Sequence, residues 1–390
     1  MDRLVVAMHR AAASKRDMIG LAGGLPATDL VPRDLLATVL AEVAREEDAV
    51  QYGWPEGMHE LRTWIARRLS ARCIGARDPH ANDDAPRVDI DPARVIITSG
   101  AQQALSLIAM AHRGARIVVG DATYPSAIAA FDRAGAEVIA QSSASPEVAH
   151  YVMPGCANPL GIDLVEPWRE EWLRTGALIA DEAYSELRFD GFVARPLLAD
   201  APDRVWHVGT LSKTVCPGLR VGWLVPPARD HDELLQQKEA ADLQAASITQ
   251  VAAARLLERL DYDAHLARLR AAYHERCERL CDALAVELPD ARFVEPSGGF
   301  AVWVELDDDG DDIALLETAI EHGTSVDPGR LFRPRDARGP VAFRASFSSA
   351  PSERIAEGVQ RLARAIAAWR GRGHATGAVT RGATAMRRRS

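Results

Sequence analysis

From about residue 95 to 225, short β-branched runs alternate with helical patterns, and this alternation limits the fold more than any other feature of the chain. Parallel neighbours in a sheet need a crossover long enough for a helix, so the pattern predicts a mainly parallel sheet with helices on both faces. Residues 95–98 lead into a helix beginning near Ala101, and 116–119 into one near Ser126. Further strands are expected at 137–140, 177–180, 205–208 and 219–225. After Asp230 long helical patterns run to Leu288-Pro289-Asp290. Beyond them strands are expected at 292–294, 301–306 and 341–346, with helices from about Asp312 and Ser352. At 390 residues the chain exceeds what one small core fills. It therefore reads as a large domain over 46–250 and a smaller α/β domain built from both chain ends, 1–45 and 251–370, including a helix near 32–43.

A formal charge of −9 argues against a nucleic-acid partner. Basic residues concentrate only in 371–390, which ends in Arg387-Arg388-Arg389 without interleaved aromatics and is expected to be a disordered tail. No run reaches the ~18 apolar residues that a membrane helix requires, and the N-terminus lacks a signal-peptide core. No membrane partner is expected. The five cysteines, at 73, 156, 216, 277 and 281, have no framework spacing and suit reduced thiols, so a cytoplasmic location is expected. His274, Cys277 and Cys281 share a helical face that could hold zinc or simply pack. No metal is expected, because no fourth ligand lies nearby.

The chemistry-bearing residues fall at the carboxyl ends of the expected strands, where open α/β sheets bind ligands. In Thr210-Leu211-Ser212-Lys213-Thr214-Val215-Cys216-Pro217-Gly218-Leu219-Arg220 one lysine stands among hydroxyls, glycine and arginine. An amine becomes nucleophilic toward an aldehyde cofactor when desolvation and nearby positive charge lower its pKa. Thr210, Ser212 and Arg220 could also hold a phosphate. A surface lysine beside a turn is the alternative. Ser99-Gly100-Ala101-Gln102 opens a helix, whose free N–H groups form an anion site, although an ordinary turn reads alike. Asp181 ends a strand, where it could pair with a pyridinium nitrogen or cap a helix. Asn158-Pro159-Leu160-Gly161 reads as a turn.

Together, from Gly23-Gly24-Leu25-Pro26 to Arg344-Ala345-Ser346-Phe347-Ser348, these motifs resemble the fold type I pyridoxal-phosphate enzymes, and among them the class I/II aminotransferases. The opening motif and Lys238-Glu239-Ala240-Ala241-Asp242-Leu243 look most like the 2-aminoadipate aminotransferase branch, which also supplies the aminotransferase domains of GntR-type regulators. No winged-helix segment is expected ahead of this region.

The resemblance implies pyridoxal 5′-phosphate bonded to Lys213, which then moves the proton between Cα and the cofactor. It implies that Asp181 pairs with the ring nitrogen, that Asn158 and Tyr184 donate to the ring oxygen, and that Tyr124 stacks on the ring. Ser99, Gly100, Ala101, Gln102, Thr210, Ser212 and Arg220 would surround the phosphate, and Tyr52 would reach a neighbouring subunit's phosphate in a homodimer with shared active sites. Arg344 would clamp the substrate α-carboxylate bidentately, beside Gly24 and Asn158. Two departures stand out: Leu160 occupies the place of a usual threonine, and Ala157 that of a polar residue, so either a looser turn or a more apolar neighbouring pocket is expected. The implied reaction moves an amino group between an L-amino acid and a 2-oxo acid in two half-reactions. Elimination, replacement, decarboxylation or cyclisation by the same cofactor stays open, as does a non-enzymatic regulatory role.

Overall fold

The computed structural model describes residues 3–14, 17–75, 88–141, 148–163, 165–174 and 176–386. The chain opens with α1 (Arg3–Ala13), β1 (Ile19–Gly20), α2 (Arg33–Val43), α3 (Glu47–Val50) and α4 (His59–Gly75). It then enters the alternating region: β2 (Ile96–Thr98), α5 (Ala101–Ala111), β3 (Arg116–Val119), α6 (Pro125–Ala134), β4 (Glu137–Ala140), β5 (Ala149–Val152), α7 (Val165–Trp172), β6 (Leu178–Asp181), β7 (Val205–Thr210) and β8 (Gly222–Val225). These strands form one sheet in the order β2-β8-β7-β6-β5-β3-β4. All of its pairings are parallel except those of β8, which runs against both neighbours.

Three long helices follow, α8 (His231–Asp242), α9 (Ser247–Arg259) and α10 (Tyr262–Glu287). The second unit contains β9 (Arg292–Phe293), β10 (Ala301–Leu306), α11 (Asp312–Glu321), β11 (Thr324–Ser325), β12 (Asp327–Pro328), β13 (Val341–Ser346) and α12 (Ile355–Met386). Its four-stranded sheet has the order β12-β13-β10-β9, and β1 pairs in parallel with β11, which ties the beginning of the chain to this late unit. One contiguous apolar core runs through both sheets and the helices between them.

Local chemistry sets the element ends. Pro125 supplies a preset φ at the start of α6, and Gly135 ends that helix in the left-handed region. The Asp261 and Asp311 carboxylates accept from the backbone N–H groups of Ala264 and Ile313, capping α10 and α11.

Four expectations change. Strand β5 was not anticipated. The strand expected at 219–225 is shorter, because 217–219 form a 3-10 turn and Arg220 takes a left-handed backbone. Residues 352–354 likewise form a 3-10 turn before the last helix. That helix continues to Met386, through most of the segment expected to be a disordered tail; no proline interrupts it, and 387–390 lie outside the described residues.

Candidate active site

Lys213 lies three residues beyond the end of β7, at the carboxyl edge of the seven-stranded sheet. Its Nζ donates to the Gly24 carbonyl at 2.9 Å and stands over the rings of Tyr184 and Phe300, at 5.3 and 5.6 Å from their centroids. Among the described residues no carboxylate makes an ion pair with it. Burial lowers the ammonium to about 8; Arg344 and Arg220 push the same way, while Tyr124 and Asp181 oppose. About a tenth of this amine is therefore free at neutrality, far more than for a solvated lysine.

Asp181 ends β6 and is 2% exposed. Its Oδ2 accepts from the Tyr151 hydroxyl at 2.8 Å and its Oδ1 from the Ala183 N–H at 3.1 Å. Burial raises the carboxyl pKa, and these donors and the Lys213 charge pull it back. A buried carboxylate with a cation-sized deficit of this kind suits a protonated ring nitrogen.

At the other end of the same edge, β2 runs into Ser99-Gly100 and then α5. Gly100 has φ +87°, and a Cβ there would approach Arg220 Nη2 to 2.6 Å. The glycine lets the guanidinium lie against the helix N-terminus, where Arg220 Nη2 donates to the Ser99 carbonyl at 2.8 Å. Ala101 and Gln102 supply first-turn N–H groups, and Gln102 Nε2 donates to the Ser126 carbonyl at 3.3 Å. The Thr210 hydroxyl faces inward, toward the Val221 carbonyl at 2.8 Å and Ser212 Oγ at 3.0 Å. The single Thr210 proton goes to the Val221 carbonyl, which can only accept, so the Ser212 hydroxyl donates to Thr210 in this contact and turns away from it to meet an anion. First-turn amides, a hydroxyl and a guanidinium are a donor set that fits a phosphate ester.

Arg344, on β13, is buried and turned into the site. Its Nε and Nη2 donate to Asp327 Oδ2 at 3.1 and 2.7 Å, Nη2 also to the Gly23 carbonyl at 3.1 Å, and Nη1 to Asn158 Oδ1 at 2.7 Å. The guanidinium is stacked on Phe332, with 4.7 Å to the ring centroid. This leaves one Nη1 proton, where an open fork was expected. Gly24, with φ +111°, lets the loop lie this close, since a Cβ would come within 3.3 Å of Nη1. The Asn158–Pro159 peptide is cis.

The profile of the family described as Aminotransferase class I and II matches residues 16–153 and 140–362. The chain belongs to this family. It is 31% identical, over 90% of its length and 88% of the relative's, to an aromatic-amino-acid aminotransferase of Thermococcus litoralis. The crystal structure of the α-aminoadipate aminotransferase LysN from Thermus thermophilus, complexed with N-(5′-phosphopyridoxyl)-L-leucine, superposes with a TM-score of 0.81 at 29% identity, covering 93% of this chain and 95% of that one. An HTH-type transcriptional regulator of Bacillus subtilis, YdfD, is 26% identical over 93% of this chain and 76% of its own length. The protein is a pyridoxal-phosphate-dependent aminotransferase of the fold type I architecture.

In this aminotransferase Lys213, Asp181, Tyr184, Asn158, Arg344 and Gly24 come together, with Tyr124 at the head of α6 close enough to act on the Lys213 charge. Tyr52 stands apart, 75% exposed beside an equally open Trp54. Leu160 packs on the apolar cluster of Trp303, Phe332 and Ala342, and it also lines a wide cavity that carries Glu305, Arg333 and Arg338. The face that might have held zinc divides: Cys277 and Cys281 are buried in the core, and His274 stacks outward on Phe189. Asp327, Phe300 and Tyr151 were missed; only Asp327, a charge before a proline, carried any sequence signal.

Proposed function

We propose that Lys213 is the base and acid of amino transfer, that Asp181 stabilises the charge released at Cα, and that Arg344 with Asn158 selects an α-carboxylate. The observation that carries this reading is the Lys213 amine, desolvated, unpaired with any described carboxylate, and within the influence of the Asp181 and Arg344 charges. Pyridoxal phosphate, when bound, supplies an aldehyde and an electron-withdrawing ring. Ser212, Arg220 and the amides from Gly100 to Gln102 would hold its phosphate, Tyr124 would cover one ring face, and Asn158 and Tyr184 would meet its phenolic oxygen. Lys213 would take a proton from the substrate Cα and return one to the cofactor's aldehyde carbon, on the far side of the transferred nitrogen. Arg344 offers its free Nη1 proton to the substrate carboxylate. Its second contact comes from Nη2 once the Gly23 carbonyl withdraws, or from the Asn158 amide.

The exposed Tyr52 and Trp54 support a homodimer in which Tyr52 completes a partner's phosphate site. The loop 23–28 contains no basic residue and presents Leu25 at 63% exposure, which favours an apolar or aromatic donor over one with a second carboxylate. The Thermococcus relative, named for aromatic amino acids, agrees with this preference. The five free thiols fit a cytoplasmic location. No described helix is long and apolar enough to cross a membrane.

The test is a single turnover with donor alone, comparing phenylalanine with 2-aminoadipate. Stoichiometric pyridoxamine phosphate and a 2-oxo acid, formed faster from phenylalanine, are expected. Release of carbon dioxide or of a β-substituent in their place would replace transamination with another reaction of the same cofactor.

A further inference from the structure

Strand β5 brings one residue to the site that neither the family motifs nor the chemistry so far has used. Tyr151 is 2% exposed, and its hydroxyl donates to Asp181 Oδ2 at 2.8 Å, while the Ala183 N–H occupies Oδ1. Each carboxylate oxygen thus takes one protein donor, which fixes the plane of the carboxyl group and leaves the remaining lone pairs for a ring nitrogen. The Tyr151 ring is wedged by Phe131, centroids 5.6 Å apart at 67°, so the hydroxyl is held in place. Phe131 lies on α6, the helix headed by Tyr124.

We infer that Tyr151 is a positioning residue for Asp181, holding that carboxylate ionised and aimed at the cofactor nitrogen. The inference rests on the assignment of Asp181 as the ring partner. Burial pushes the Tyr151 phenol well above its ordinary range, and the Asp181 charge adds to this, so it stays a donor throughout the working pH range. The hydroxyl hydrogen bond is among the forces that lower the Asp181 pKa against burial. A buried tyrosine whose hydroxyl merely takes the nearest acceptor is the competing explanation.

Tyr151→Phe removes the O–H and keeps the ring against Phe131. In purified holoenzyme it should slow exchange of the substrate Cα proton with solvent deuterium by roughly 10- to 100-fold, the worth of one hydrogen bond to a charged group, with KM for the amino acid little changed. Without the donor Asp181 gains its proton more readily, so the acid limb of the exchange rate should move to higher pH. In an Asp181→Asn background the same substitution should cost less than about twofold, because the two residues act as one unit. Equal losses in both backgrounds, or an unmoved acid limb, would overturn the inference and leave Tyr151 as core packing. Should Asp181→Asn itself exchange at the wild-type rate, the assignment of Asp181 fails, which is a separate and recognisable result.

Discussion

Two lysines of this aminotransferase are withdrawn from water, and they have opposite surroundings. Lys238, on α8, has no exposed side-chain surface and donates to Asp242 Oδ1 at 2.9 Å. Asp242 Oδ2 accepts from Gln103, whose Oε1 in turn accepts the Ser99 N–H at 2.7 Å. Lys238 is therefore an ion-paired strut behind the Ser99–Gln102 turn. Lys213 has a backbone carbonyl, two aromatic rings and two arginines around it, feels the Asp181 charge from a distance, and makes no ion pair with a carboxylate among the described residues. Burial alone does not make an amine reactive; burial without a counter-ion does.

The sharpest way to break this contrast is covalent. Borohydride reduction of the holoenzyme should label Lys213, and peptide mapping that found the label on Lys238 would reverse the assignment. Lys213→Ala should lose on the order of a thousandfold or more in single-turnover rate, since both nucleophile and base are gone. Next in size is Arg344→Ala, expected to cost about 2–5 kcal/mol, or roughly 30- to 5000-fold, in kcat/KM for an amino acid and little for its matched amine. Arg344→Lys should recover little, because one ammonium cannot reach Asp327, Gly23 and Asn158 together. Equal small losses for acid and amine would move the carboxylate site elsewhere.

Lys238→Met should leave the label on Lys213 and act on stability. Removing one member of a buried pair costs ~3–5 kcal/mol when both are fully enclosed, and because Asp242 reaches solvent a loss of about 2–3 kcal/mol is expected in denaturant titration. An unchanged midpoint would show that the pair contributes nothing to folding. The smallest effect is a pH effect. With the Lys213 amine near 8 and only its neutral form reactive, cofactor capture by the apoenzyme should rise about tenfold from about pH 7 to about pH 9. A flat profile, or a rise centred above about pH 10 as for a solvated lysine, would contradict the desolvated amine.

Much of the fold was legible in local patterns: 116–119 and 137–140 appear where β-branched runs predicted strands, and 301–306 and 341–346 where strands were expected with fewer β-branched residues among alternating apolar ones. Ala149-His150-Tyr151-Val152 has a single β-branched residue, and its strand character comes from pairing between β3 and β6, which is information carried by other parts of the chain. The site divides in the same way. Lys213, Asp181 and the Ser99–Gln102 turn carry local patterns, whereas Asp327 acquires its meaning only from Arg344 on the paired strand β13. The consumption of four guanidinium protons by neighbours was not predictable from Arg344 and its sequence surroundings.

The parallel pairing of Ile19–Gly20 with Thr324–Ser325 has a consequence for how the molecule comes into being. The groups assigned to the cofactor, from Ser99 to Arg220, leave the ribosome more than a hundred residues before Arg344 does. Gly23 and Gly24 therefore wait for their partners on the late strands longer than any of these groups wait for one another. The carboxylate site assigned to Arg344 can form only when the late strands emerge and meet the earliest ones, so under that assignment it is completed late in synthesis.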